Sequence, residues 1–187
     1  LLRSDNYEAG IELIKTLDDL EITKGTFNTV IAKIKKFLKQ RDYDAIDTGI
    51  ELAHALDEPL VFETLLGGWF ITEDGKFAIE EGYKGKTLAK KWSDETLPYY
   101  TYALINLIGH APENTKLHES LEYSKIKNLN LSGFSWSKLP SGLKNIINLT
   151  NLDLSGCHNL QNVDGLAKCI NLTSLNLGNC SSLQNIN

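Results

Sequence analysis

Three cysteines and four histidines are the side chains of this sequence best suited to nucleophilic, redox or metal chemistry. Cys157, Cys169 and Cys180 are odd in number, which sets no disulfide framework. Zinc is not expected, because there is no Cys-x-x-Cys pair and no two histidines at i and i+4, and His158 beside Cys157 is a lone neighbour. His118-Glu119 opens like a zinc-protease helix, but Glu122 and Tyr123 stand where the second histidine is needed. His54 falls in an apolar helical stretch and His110 at a helix end, where an imidazole can cap carbonyls. No Ser/His/Asp order, phosphate loop or dinucleotide fingerprint accompanies them. The chain therefore reads as non-enzymatic, with no catalytic, cofactor-binding or metal-binding residue.

The 187 residues carry a net charge of −5, with 42% hydrophobic and 23% charged residues. That composition excludes a largely disordered chain, and no apolar run is long enough to span a membrane. The acidic balance argues against nucleic acid and leaves proteins or small molecules as partners. Charge is uneven: residues 1–125 hold 15 basic against 22 acidic side chains, and residues 126–187 hold four lysines against two aspartates. This shift in composition places a domain boundary just before Ile126.

Beyond that boundary the chain repeats itself every 23 residues. Leu149, Leu152, Leu154, Cys157, Leu160 and Val163 recur as Leu172, Leu175, Leu177, Cys180, Leu183 and Ile186. Ile126, Leu129, Leu131 and Phe134 stand one period earlier, and Leu143 and Ile147 precede Leu166 and Ile170 by the same step. The pattern L-x-x-L-x-L-x-x-C-x-x-L resembles leucine-rich repeats, in a cysteine-containing variant. The resemblance implies an α/β solenoid of parallel strands, right-handed, with two full coils and part of a third, following a helical N-terminal domain in an α+β chain.

In such a coil the two leucines of Leu152-Asp153-Leu154 point to one side of a short strand and the aspartate to the other. The resemblance then puts Asn128, Asn130, Ser132, Asn151, Asp153, Ser155, Ser174, Asn176 and Gly178 on the outward, concave face that binds partners. It also makes Cys157 and Cys180 buried turn thiols that hydrogen-bond backbone, stacked close enough for a disulfide but better read as reduced. Cys169 takes the apolar place of Ile146. Four Asn-x-Ser/Thr acceptor patterns begin at Asn130, Asn148, Asn171 and Asn179; all sit at repeat positions that favour asparagine, so they say little about compartment.

The first half is helical. Gly10-Ile-Glu-Leu returns 39 positions later as Gly49-Ile-Glu-Leu, and Tyr7, Ile11, Ile14 and Leu17 keep the same helical spacing as Ile46, Ile50, Ala53 and Leu56, with Asp5 and Glu8 giving a capping-box-like start. Val30, Ile31, Ile34, Phe37 and Leu38 predict a helix begun near Thr26 or Asn28, and Pro59 opens another that ends at Gly67-Gly68. Paired helices at this period weakly resemble a HEAT solenoid; a small bundle is the alternative. Asp74-Gly75 between β-rich runs predicts a hairpin, and residues 97–108 predict a buried helix that covers the open end of the first coil. The domains are thus 1–68 helical, 69–125 hairpin and linking helix, and 126–187 repeats.

These expectations add up to a protein–protein interaction module, cytoplasmic on account of its reduced thiols, with secretion left open and self-association possible. The last coil stops part-way through a period, so the chain is expected to be a fragment of a longer array. The alternative is the recognition arm of a larger enzyme or effector, such as a ligase, whose catalytic domain lies outside these residues.

Overall fold

The computed structural model describes residues 24–184. The N-terminal copy of the 39-residue duplication, with Asp5 to Leu17, and the last repeat position, Ile186, lie outside the described residues. Four helices lead: α1 (Lys24–Leu38), α2 (Tyr43–Leu56), α3 (Pro59–Leu66) and, after a hairpin of β1 (Trp69–Ile71) and β2 (Phe77–Ile79), α4 (Leu97–His110). Three short strands follow, β3 (Asn128–Asn130), β4 (Asn151–Asp153) and β5 (Ser174–Asn176), separated by 3-10 turns at Ser141–Asn145 and Asp164–Leu166.

Local chemistry accounts for the helix ends. Asp42 Oδ1 accepts the N–H groups of Asp44 and Ala45 at 2.9 and 3.3 Å, and Asp57 closes α2 at φ 47°. Pro59 starts α3 with its φ already helical. Helices α1 and α2 approach closely at Gly49, where a Cβ would lie 2.9 Å from both Leu38 and Phe37.

The strands pair as two small sheets. β1 and β2 are antiparallel, and β3, β4 and β5 are parallel, with Leu129 opposite Leu152 and Leu152 opposite Leu175. The 23-residue period is therefore the register of the parallel sheet. The wider expectation of a leucine-rich repeat solenoid is corrected, however. Among the described residues strand makes up only 9%, each rung is three residues long, and no solenoid closes. The physical reason lies in the count of rungs: a stack buries each coil only between neighbours. Here β4 is sandwiched between β3 and β5, and β5 is exposed at every position. Leu129, Leu131, Leu152 and Leu154 instead join one buried cluster with Trp69, Tyr102, Leu104 and Trp136.

The first coil is met both by the hairpin and by helix α4. The hairpin tip reaches it: Asn130 N–H donates to the Gly75 carbonyl at 2.9 Å. Gly75 sits at φ +82°, and a Cβ there would lie 2.9 to 3.1 Å from the backbone of Asn130, Leu129 and Asn128, so only glycine fits. Helix α4 packs beside the 3-10 turn at Ser141–Asn145, backbone against backbone at Gly109 and Gly142.

Candidate functional site

The proposed face is built by the rungs themselves. Asn128, Asn151 and Ser174 stand in register and exposed, and Asn151 Nδ2 donates to Asn128 Oδ1 at 2.6 Å. Asn130, Asp153 and Asn176 form the second row, but their side-chain oxygens are already engaged. Asn130 Oδ1 accepts from the N–H and hydroxyl of Ser132, Asp153 Oδ1 from Ser155 N–H at 2.8 Å, and Asn176 Oδ1 from Gly178 N–H at 3.0 Å. These are Asx turns, which hold the bend after each strand. The bonds from Ser155 keep the Asp153 carboxyl below the usual carboxylate range, with burial opposing them weakly. Gly133, Gly156 and Asn179, one period apart, carry the positive φ each bend requires. Ser132, Ser155 and Gly178 thus belong to turns at the margin, and Asn128, Asn151 and Ser174 are the freer row.

The thiols are occupied by the backbone. Cys157 Sγ donates to Leu131 O at 3.3 Å and Cys180 Sγ to Leu154 O at 3.1 Å, each reaching the preceding coil. Burial pushes the Cys157 thiol up to about 11 and raises Cys169 too, the reverse of what a nucleophile needs.

A second cluster joins residues far apart in sequence. A cleft of about 210 Å³ is lined by Asp47, Ile50, Glu51, His54, His110 and Ser141. His54 and His110 meet edge to face, 5.3 Å between ring centroids. His110 Nδ1 lies 2.8 Å from the Asn106 carbonyl, which only accepts, so that nitrogen carries the proton. Burial lowers the His110 pKa, helped by nearby His54 and Lys144 and opposed by the Asn106 bond. Asp47 accepts from the Tyr102 hydroxyl at 3.0 Å and from Lys138 at 2.9 Å, and burial first, then Asp47, raises Tyr102.

Beneath this cleft, buried Asn106 joins the helices to the repeats. Its Oδ1 accepts from Gly142 N–H at 2.7 Å and Ser141 Oγ at 3.1 Å; its Nδ2 lies by the Tyr102 hydroxyl without a hydrogen bond of ordinary geometry. Sequence reasoning saw two isolated histidines here; the 55 intervening positions carry no signal that they meet. Among the described residues, no hydroxyl or thiol is hydrogen-bonded to either of these two imidazoles, and no group of three His, Cys, Asp or Glu is placed to hold a metal ion. The arrangement is a polar joint in which burial disfavours the charged form of His110.

No protein-family model matches the chain, and neither any curated protein nor any solved structure is significantly similar to it. No helix among the described residues is long and apolar enough to cross a membrane.

Proposed function

We propose that this chain is a non-enzymatic protein-binding module whose partner lies along the outward face of the parallel sheet. One observation carries the reading. Asn128, Asn151 and Ser174 stand in register, one period apart, and exposed on one face of three parallel rungs.

The Asn128, Asn151 and Ser174 row offers a partner side-chain hydrogen bonds along the whole width of the described sheet. The likeness of the 23-residue pattern to leucine-rich repeats supports the same role. A reducing cytoplasm suits the three free thiols.

The test is affinity capture with the full chain, then calorimetric titration with the purified captured protein, using wild type, Asn151→Tyr and Asp153→Lys. A loss of about tenfold or more with either face variant supports the reading. Wild-type affinity in both contradicts it.

A further inference from the structure

The net charge of −5 conceals a segregated basic face. Residues 24–41 contain five lysines and Arg41 with no Asp or Glu, and residues 82–91 contain Lys84, Lys86, Lys90 and Lys91, again with none. Ten of the chain's 19 basic residues thus fall in two short segments, and the fold brings those segments together. Lys86 Nζ donates to Asn28 Oδ1 of α1 at 2.7 Å. Thr87, Leu88 and Ala89 are buried, with Leu88 N–H and the Thr87 hydroxyl both on the Leu65 carbonyl at 2.9 and 3.0 Å, so exposed Lys86 and Lys90 flank a fixed anchor. On α1, Asn28, Lys35 and Lys39 recur at i, i+7 and i+11 and share one side of the helix. Lys39, Lys90 and Lys86 each lie near enough to Lys35 to add to burial in lowering its pKa.

None of these four lysines pairs with a carboxylate among the described residues; on this side only Arg41 does, with Glu95 at 3.0 Å. Four ammonium groups without a carboxylate partner among the described residues, collected on one face of an acidic protein, make a surface suited to an external anion.

The kind of anion follows from the residue types. Lysine is a hydrated point charge on a flexible stem and is depleted from protein interfaces, where arginine is preferred. The two segments hold nine lysines to one arginine. Their aromatics are engaged inward: Tyr83 lies over Gly67 and Gly68, and Phe27 and Phe37 are packed against the core, so none is offered for stacking a base. The apolar side of α1 is likewise spent on the core through Val30, Ile31, Ile34 and Leu38, so the helix cannot insert into a bilayer.

We infer that this lysine face docks the protein peripherally and electrostatically on an anionic phospholipid surface. The remaining, acidic surface is repelled by the same plane and so fixes the orientation. Lysines near such a surface contribute additively, and the attraction fades beyond a Debye length.

The experiment is co-sedimentation of the full chain with phosphatidylcholine vesicles, with and without phosphatidylserine, at low and high salt. Binding is expected only to the phosphatidylserine vesicles and only at low salt. Replacing Lys35, Lys39, Lys86 and Lys90 by Gln should reduce partitioning by about fivefold per lysine. Replacing Lys116, Lys127, Lys144 and Lys168 by Gln, all exposed elsewhere, makes the same change in net charge and should leave binding near wild type. Circular dichroism verifies that both sets fold. Equal loss in the two sets, binding to phosphatidylcholine alone, or tighter binding to duplex RNA than to the anionic vesicles at the same salt would overturn the assignment.

Discussion

Leu152 and Leu175 occupy the same repeat position, yet truncating them to alanine should have different consequences. Leu152 lies between Leu129 and Leu175 in the ladder and is 2% exposed. Its loss leaves a hole walled on both sides by rungs that cannot close on it, which costs about 3 kcal/mol, within the usual range for a buried leucine. Leu175 is 38% exposed with no rung beyond it among the described residues. Only part of the roughly 2 kcal/mol for full burial is realised there, and water fills the space, so the cost is about 1 kcal/mol. For a chain of this size each kcal/mol shifts the thermal midpoint by about 2–4 °C, so the expected drops are about 6–12 °C for Leu152→Ala and 2–4 °C for Leu175→Ala. Calorimetry and urea titration of the two variants at several concentrations measure this. Equal losses would mean that Leu175 is as well covered in solution as Leu152, contrary to their exposures.

Three further expectations concern the joints. Asn106→Ala strands the buried Gly142 N–H and should cost about 2–3 kcal/mol, partly offset by removal of the unpartnered Nδ2, as read by urea unfolding. Gly75→Ala should destabilise by more than Gly82→Ala, since both have positive φ but only Gly75 meets backbone within 3 Å; equal midpoints would refute the docking of the hairpin tip on β3. The lowered pKa of His110 means that the unfolded chain takes up the proton first, so stability should fall as pH drops through about 6.5 toward the folded value. Replacing His110 by Gln should flatten that part of the pH–stability curve, and an unchanged slope would remove His110 as its cause.

Particular residues show what the sequence made legible. Six aliphatic and thiol positions repeated at 23 residues predicted the register Leu129, Leu152, Leu175, and Asp74-Gly75 predicted the hairpin, because both signals are local or periodic. The solenoid did not follow, since register says which residues pair and not how many rungs are available to bury one another. Which element would cover β3 was not legible either: Gly75 is read as a turn residue from its neighbours, and nothing nearby announces a backbone 55 positions away. Asn130, Asp153 and Asn176 were read as outward contact residues, but the Ser or Gly two positions on is the partner that turns their oxygens into bend supports. The His54–His110 pair and the lysine face were missed because each is assembled from separate segments, and a whole-chain net charge averages the second away.

The central claim is that, among the described residues, the 23-residue period sets the register of a three-stranded parallel sheet with the hairpin tip on β3. Amide hydrogen exchange on the dilute free chain tests it residue by residue. The account predicts slow exchange at Asn130, Leu154 and Gly156, whose N–H groups donate to Gly75, Asn176 and Gly178. Rapid exchange at all three would contradict it.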